Sequence, residues 1–189
     1  MNFSEDINNS LIALRKGGVI LYPTDTIWGL GCDATNSVAV EKLFKIKARS
    51  ETKSLLVLVD SIHMLERYVK DVPDIVYELT SVSDSPLTII YSFGINLAPG
   101  VCSEDGSVGI RICRDDFCNE LISRFRKPIV STSANFSGKP SPENFGSIHK
   151  SLTELVDYVV SHRQDDYQKH SASPIIKVEQ NGTIQIIRN

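Results

Sequence analysis

The chain has 189 residues, enough for one domain with a sizeable core, and its 41% apolar and 23% charged residues are ordinary for a globular protein. The formal net charge of −3 does not indicate nucleic-acid binding through bulk charge, although it leaves room for a local basic patch. No apolar run approaches the roughly 18 residues of a membrane span, and the polar start from Met1 to Asp6 is unlike a signal peptide.

The first half of the chain alternates between predicted helices and strands. Ser4 can cap a helix that Gly17 and Gly18 end, and an apolar strand at 19–22 stops at Pro23. Residues 24–33, with small hydroxyls and two glycines, are interpreted as a loop. The next predicted elements are a helix at 37–48, a strand at 54–59, helices at 61–69 and 73–79, and a strand at 87–91.

The second half continues the alternation. The predicted elements are a strand at 107–112, a helix at 115–125, a strand at 128–130, a helix at 142–156 that breaks near 150, and a strand at 158–160. Two closing strands, 174–178 and 183–187, flank Asn181-Gly182, a strong hairpin signal. Helices and strands interleave without a repeat or a linker, which predicts a single α/β domain over residues 1–189. The closing hairpin predicts a mixed sheet.

The stretch after the strand at 128–130 is dense in small donors and acceptors. It reads Ser131-Thr-Ser-Ala-Asn-Phe-Ser-Gly-Lys-Pro140. This composition is found at polar-ligand sites and in ordinary turns, so both interpretations stay open. The four cysteines form no CxxC pair and are expected to be reduced thiols in a cytoplasmic protein.

Lys47 has an unusual place on the helix at 37–48. With 100° per residue it lies about 20° from Val40, in the middle of the apolar face. Either its ammonium group points inward and needs a partner, or it extends to solvent from the last turn. Arg49 and Lys53 follow, and the three cations suit either a polyphosphate clamp or a solvated basic stretch.

Arg111 is the fourth notable cation. Strand alternation places Arg111 on the same face as Gly109. Either its guanidinium group binds a carboxylate or phosphate group there, or the side chain faces solvent. The sequence contains no Walker loop, GxGxxG or Gly-x-Ser-x-Gly, and its four histidines are interpreted as surface residues. The residues alone therefore predict a basic, hydroxyl-rich pocket for an anionic ligand such as a nucleotide.

Four stretches between about residues 18 and 140 occur together. They are YPTDTIWGLGCD at 22–33, Lys47-Ala48-Arg49 with Lys53, VGIRI at 108–112 and STSANFSG at 131–138. Together they resemble the YrdC/YciO family, and specifically its threonylcarbamoyl-AMP synthases. The resemblance implies a twisted mixed sheet flanked by helices around a large, positively charged cavity.

The resemblance also implies roles for individual residues. It assigns catalysis to Lys47, Arg49, Ser133 and Asn135. It assigns ATP binding to Arg49, Lys53, Ser107, Ser133, Ser141 and Arg188. It assigns threonine binding to Thr26, Arg111, Ser131 and Ser173, with Arg111 on the carboxylate group.

The implied reaction is that of a nucleotidyltransferase. L-threonine, bicarbonate and ATP give threonylcarbamoyl-AMP and pyrophosphate, for modification of adenosine 37 of tRNA by separate threonylcarbamoyl-transferase proteins. Mg²⁺ is expected on ATP, with no protein-bound metal or organic cofactor, and tRNA or double-stranded RNA is a further implied partner. Departures from the family pattern occur at Asp84-Ser85-Pro86, at Ser54 and at 173–177. They leave open the alternative of a YciO-like RNA-binding protein with a different or lost activity.

Overall fold

The structure is a computed structural model that describes residues 3–48, 55–83 and 85–189. Arg49, Lys53 and the predicted start of a strand at residue 54 lie outside this range. The helices are α1 (Phe3–Arg15), α2 (Ser37–Lys47), α3 (Ile62–Leu65), α4 (Asp74–Val82), α5 (Asp116–Phe125) and α6 (Lys150–Leu155), with a 3₁₀ turn at Phe145–Ser147. The strands are β1 (Ile20–Tyr22), β2 (Gly29–Asp33), β3 (Leu56–Val59), β4 (Thr88–Tyr91), β5 (Val108–Ile112), β6 (Ile129–Ser133), β7 (Tyr158–Val159), β8 (Ile175–Val178) and β9 (Ile184–Arg188).

The described strands form one sheet in the order β7-β1-β2-β6-β3-β5-β4-β8-β9. Three neighbouring pairs are parallel, β1 with β7, β3 with β5 and β4 with β8. The other neighbours are antiparallel, and they include the closing hairpin of β8 and β9. The predicted mixed α/β architecture is therefore confirmed.

Helix α2 forms where its sequence signals place it. The side chain of Asn36 caps its start by accepting hydrogen bonds from the backbone N–H groups of Val38 at 3.0 Å and Ala39 at 3.3 Å. Ala48 ends it in the left-handed conformation, with φ of 47°. Because Leu43 and Phe44 are buried on its inner face, the helix is fixed in rotation and Lys47 is carried inward.

Residues 29–33 form strand β2, so their interpretation as part of a loop was wrong. The reason lies in the packing of Tyr22, which is fully buried. A Cβ atom on Gly31 would lie 2.6 Å from Cε1 of Tyr22 and 2.9 Å from the carbonyl oxygen of Val130. The glycine therefore makes room for the aromatic ring of Tyr22 on the neighbouring strand β1. The glycines of this segment indicate close packing and not a flexible loop.

Strand β6 continues to Ser133, three residues beyond its predicted end. Ser131 pairs with Gly31 of β2 on one side and with Leu56 of β3 on the other. The first hydroxyls of the 131–140 stretch are therefore held by two sheet neighbours, and only the residues from Ala134 onward leave the sheet.

The helix predicted at 142–156 is interrupted just before residue 150, close to its predicted break, but its first part forms only the 3₁₀ turn at Phe145–Ser147. Asn144 caps the 3₁₀ turn at Phe145–Ser147, and His149 caps α6 by accepting a hydrogen bond from the N–H of Ser151 at 3.3 Å. Two caps five residues apart interrupt the helix. Similarly, the helix predicted at 61–69 is limited to Ile62–Leu65.

His162 differs from the prediction that all four histidines lie on the surface. It is half-buried, and its ring centroid lies 5.2 Å from that of Phe3 and 5.7 Å from that of Phe117. The four cysteines are free thiols. Within the described ranges, no helix has the length and apolar character needed to cross a membrane.

Candidate active site

A cavity of about 380 Å³ opens on one face of the sheet, a size typical of small-ligand sites. We call it the hydroxyl cavity, since half of its described lining residues are Ser or Thr. The lining residues are Thr24, Thr26, Ile27, Gly29, Leu55, Leu56, Thr88, Ile90, Ser103, Ser107, Gly109, Arg111, Ser131, Thr132, Ser133, Ser141, Ala172, Ser173, Ile175 and Arg188.

The floor of the hydroxyl cavity is a row of paired residues across four strands. Leu56 pairs with Ser131 and with Gly109, and Gly109 pairs with Ile90. Directly paired residues project from the same face of a sheet, which brings these distant sequence positions together. A Cβ atom on Gly109 would fit without a clash, at 3.6–3.9 Å from its nearest neighbours. The glycine therefore leaves unfilled space in the floor of the cavity.

One wall of the cavity is the turn between β1 and β2. The hydroxyl of Thr24 donates to the carbonyl oxygen of Ile27 at 2.8 Å and accepts from the backbone N–H of Thr26 at 3.1 Å. The two threonine hydroxyls lie 3.0 Å apart. This local network holds Thr26 at the cavity surface.

Arg111 is buried in the wall, with 2% of its side chain exposed, so its interpretation as a solvent-facing residue is excluded. Its Nη2 lies 2.8 Å from Oδ1 of Asp25 and donates to the Thr26 hydroxyl at 3.2 Å. Its Nη1 donates to the Ser173 hydroxyl at 3.2 Å. Burial raises the pKa of Asp25, and the guanidinium group of Arg111 acts against that shift.

Ser173 connects Arg111 with the last strand. Its hydroxyl lies 2.8 Å from that of Thr88, and its carbonyl oxygen accepts hydrogen bonds from Nε and Nη2 of Arg188 at 3.1 and 2.6 Å. These contacts order both tail residues, Ser173 and Arg188, at the cavity despite the departures of 173–177 from the family pattern.

Lys47 points inward, which confirms the first of its two interpretations. It is 3% exposed, and its Nζ donates to the carbonyl oxygen of Ser133 at 2.5 Å and to Oδ1 of Asn135 at 3.1 Å. The Ser133 hydroxyl donates to the same Oδ1 at 2.5 Å, and Nδ2 of Asn135 donates to the carbonyl oxygen of Lys139. The backbone N–H of Ser137 closes the unit by donating to the carbonyl oxygen of Lys47 at 3.1 Å.

The structure brings most of the predicted site residues together. Eight of them line the hydroxyl cavity: Thr26, Ser107, Arg111, Ser131, Ser133, Ser141, Ser173 and Arg188. Lys47 and Asn135 lie behind Ser133 instead of in the lining. Because Arg49 and Lys53 are outside the described residues, the strongly basic character of the cavity stays a prediction.

Sequence reasoning missed Asp25. It contacts Arg111, which is buried beside the cavity, yet it received no role. A signal was available in the sequence, since Asp25 is the one charged residue between Val19 and Cys32, a mostly apolar stretch. A lone carboxylate in such surroundings needs a cationic partner.

The arrangement favours binding and positioning over nucleophilic attack. Hydroxyl and guanidinium groups offer hydrogen bonds and positive charge to carboxylate and phosphate oxygens. The described lining contains no Cys, His or Lys side chain.

Comparisons with known proteins identify the family of the chain. The family model described as Sua5_yciO_yrdC, Telomere recombination, matches residues 12–189. A threonylcarbamoyl-AMP synthase of Pseudoalteromonas translucida (strain TAC 125) is 32% identical over 163 residues, which cover 85% of this chain and 87% of that protein.

Two solved structures share the fold. E. coli YciO is 21% identical with a TM-score of 0.82, over 97% of this chain and 88% of that one. P. abyssi Sua5 complexed with L-threonine is 23% identical with a TM-score of 0.78, over 94% of this chain. The present chain spans about half (52%) of that Sua5 chain. The family match over nearly the whole sequence confirms the resemblance of the four motifs, and the chain belongs to the Sua5/YciO/YrdC family.

Proposed function

We propose that the protein is an L-threonylcarbamoyladenylate synthase, a nucleotidyltransferase that converts L-threonine, bicarbonate and ATP to threonylcarbamoyl-AMP and pyrophosphate. One observation carries the proposal. In a chain of this family, a single cavity joins a buried arginine on β5 with the hydroxyls of β6 and with Arg188 of β9. The name of the P. translucida relative supports the same reaction.

The proposal divides the cavity between two substrates. Arg111 and the hydroxyls of Thr26, Ser131 and Ser173 would hold threonine, with the guanidinium group on its carboxylate. The ATP subsite would use Ser107, Ser133, Ser141 and Arg188 of the described lining, together with Arg49 and Lys53.

The chemistry needs no nucleophile from the protein. The amine of threonine attacks bicarbonate, giving a carbamate and water. A carbamate oxygen then attacks the α-phosphorus of ATP, the bond to the bridging α–β oxygen breaks, and pyrophosphate leaves with that electron pair. The protein would position three substrates and stabilise charge around the α-phosphoryl group. Mg²⁺ enters this proposal as part of the ATP substrate.

Pyrophosphate release tests the proposal. Purified protein should release pyrophosphate from Mg·ATP with bicarbonate and threonine, and at a much lower rate with serine or without an amino acid. The matching product is threonylcarbamoyl-AMP, seen by mass spectrometry. A folded preparation that releases no pyrophosphate above background would contradict the synthase function, and release that is independent of threonine would contradict the substrate assignment.

The proposal extends to the protein's surroundings. The product would pass to the tRNA threonylcarbamoyl-transferase proteins that modify adenosine 37. The cytoplasm is the proposed compartment, and the free state of the four cysteines fits its reducing conditions.

A second candidate function is binding of tRNA or double-stranded RNA. A surface groove between α1 and α5, which we call the arginine cleft, gathers three exposed arginines. It is lined by Asn8, Leu11, Ile12, Arg15, Ser123, Arg124 and Arg126. Within the described residues, Glu120 is the acidic partner recorded for this group, in an exposed pair with Arg124 at 3.2 Å. The cleft thus concentrates positive charge on a chain whose net charge is −3.

Backbone binding at the arginine cleft should weaken steeply with salt. Replacing Arg15, Arg124 and Arg126 by Ala is expected to reduce the slope of log K against log salt by about 3, or about 1 for each lost phosphate contact. Filter binding with a tRNA and with a double-stranded RNA measures the slope.

Three exposed lysines elsewhere, at 45, 150 and 169, supply the control variant when replaced by Ala. Equal slopes for the two triple variants, or binding that is insensitive to salt, would exclude the arginine cleft as an RNA surface.

A further inference from the structure

Asp25 contacts the Arg111 guanidinium group without lining the hydroxyl cavity itself. Its neighbours Thr24 and Thr26 line the hydroxyl cavity, whereas Asp25 does not. Its side chain is 10% exposed and its Oδ1 lies 2.8 Å from Nη2 of Arg111. Asp25 is the carboxylate that forms an ion pair with Arg111 within the described residues.

The ion pair leaves the other edge of the guanidinium group for a ligand. Nη1 of Arg111 donates to the neutral hydroxyl of Ser173, which an incoming carboxylate would displace as the stronger acceptor. Nε of Arg111 is buried and makes no hydrogen bond with the described residues. Asp25 thus pairs with Nη2 of Arg111, while Nη1 is bonded only to a neutral hydroxyl group and Nε has no hydrogen-bond partner among the described residues.

A carboxylate at this place affects what else can bind. With Asp25 ionised, the Asp25–Arg111 pair has no net charge, so a free anion gains little by entering. Two anions on opposite sides of one guanidinium group lie about 6 Å apart. At an effective dielectric constant of about 20, their repulsion weakens binding of the second anion by more than tenfold. A zwitterion is penalised less, since its ammonium group offsets its carboxylate.

We propose that Asp25 is a specificity-determining residue that neutralises Arg111, so that the subsite accepts a zwitterionic amino acid and rejects simple anions such as inorganic phosphate or a carboxylate without an amine. The role rests on the proposed function for the identity of the amino acid. Asp25 acts through Arg111 and touches no substrate, and it keeps the empty site from trapping the phosphates that the neighbouring subsite must hold.

The test is the response of Asp25→Asn to anions. The amide keeps the size of the side chain and an acceptor for Nη2 but removes the charge. Inorganic phosphate and 3-hydroxybutyrate, which is threonine without its amine, are the probes. Asp25→Asn is expected to bind each at least tenfold more tightly than the wild type, seen as stabilisation in thermal melts and as new inhibition competitive with threonine.

Asp165→Asn, which removes an exposed carboxylate, is the matched control and should behave as the wild type. An unchanged anion response in Asp25→Asn, or an equal gain in Asp165→Asn, would overturn the proposal. So would a loss of threonine binding without any gain for the anions, because that pattern indicates lost geometry alone.

Two further outcomes are decisive. If Asp25→Asn folds only with added phosphate, the anion is replacing the lost carboxylate and the proposal is supported. If Asp25→Asn and Asp25→Ala both stay unfolded at any phosphate concentration, Arg111 does not accept an exchangeable anion and the proposal fails. The melts need no turnover, so a wild type without threonine-dependent activity would refute the proposed function separately from this role.

Discussion

Replacement of Lys47 by Met is expected to lower threonine-dependent pyrophosphate release by about 10²-fold or more, because Lys47 holds the cavity residue Ser133 in a preorganised position and supplies a positive charge beside it. The thioether has nearly the same length but cannot donate to the carbonyl oxygen of Ser133 or to Oδ1 of Asn135. Both residues would lose the group that orients them, and the site would lose a positive charge. Steady-state kinetics with threonine and ATP varied in turn measures the effect.

The same helix supplies the control for Lys47→Met. Lys45 is exposed, two residues earlier and also in the last turn, so Lys45→Met should retain activity within about twofold. The free energy of unfolding of Lys47→Met should fall by about 1–3 kcal/mol, the cost of leaving buried acceptors without a donor. Activity that falls only in proportion to the folded fraction would show that Lys47 is structural and does not serve the reaction.

The helices of the site were predictable because their signals are local. An Asn cap, an apolar face and a cationic last turn define α2, and all three lie within about four turns of chain. The helical period placed Lys47 on the apolar face but left open whether its ammonium group points inward or extends to solvent. What the period could not supply was its partner, since Ser133 and Asn135 lie 86 and 88 residues away.

The strands of the site were harder to predict because their signals are not local. Gly31 looks like a flexible position until Tyr22 is seen against it, and Ser131 looks like a turn residue until Leu56 and Gly31 pair with it. Glycine and serine have low strand propensity, and here tertiary packing overrides that preference. The family resemblance assigned Ser131 to the threonine site, whereas composition and periodicity left it as either a site or a turn residue.

The Asp25–Arg111 ion pair shows a further limit of sequence reasoning. Alternation on β5 puts Arg111 on the face of Gly109 but leaves its exposure open, because a strand pattern does not say what covers the face. Asp25, Thr26 and Ser173, from two distant loops, contact the buried guanidinium group. Once Arg111 is buried, its guanidinium group needs a negatively charged partner, which Asp25 supplies. This need for Asp25 is visible only in the assembled site.

Replacement of Arg111 by Met is expected to lower the free energy of unfolding by about 3–5 kcal/mol near pH 8, because a carboxylate with 10% exposure would lose its cation. Burial already raises the pKa of Asp25 and Arg111 opposes this, so the variant should raise that pKa further. An acid whose pKa is raised on folding is stabilising below its unfolded value and loses that contribution as the pH rises through the folded value. The destabilisation should therefore shrink as the pH falls through the raised pKa of Asp25 in the folded variant, because Asp25 takes up a proton there and no buried charge is left without a partner.

Urea unfolding at several pH values measures this effect, and a double variant isolates its cause. Arg111→Met/Asp25→Asn should be more stable near pH 8 than Arg111→Met alone, since no charge is left buried, and its stability relative to the wild type should depend less on pH. Arg124→Met breaks an exposed pair with Glu120 and should cost less than about 1 kcal/mol at every pH, which controls for the loss of any arginine. Additive effects of the two substitutions would contradict the pairing. A loss of stability in Arg111→Met that does not depend on pH would mean that lost packing of the aliphatic part of Arg111, and not the unpaired charge of Asp25, causes the destabilisation.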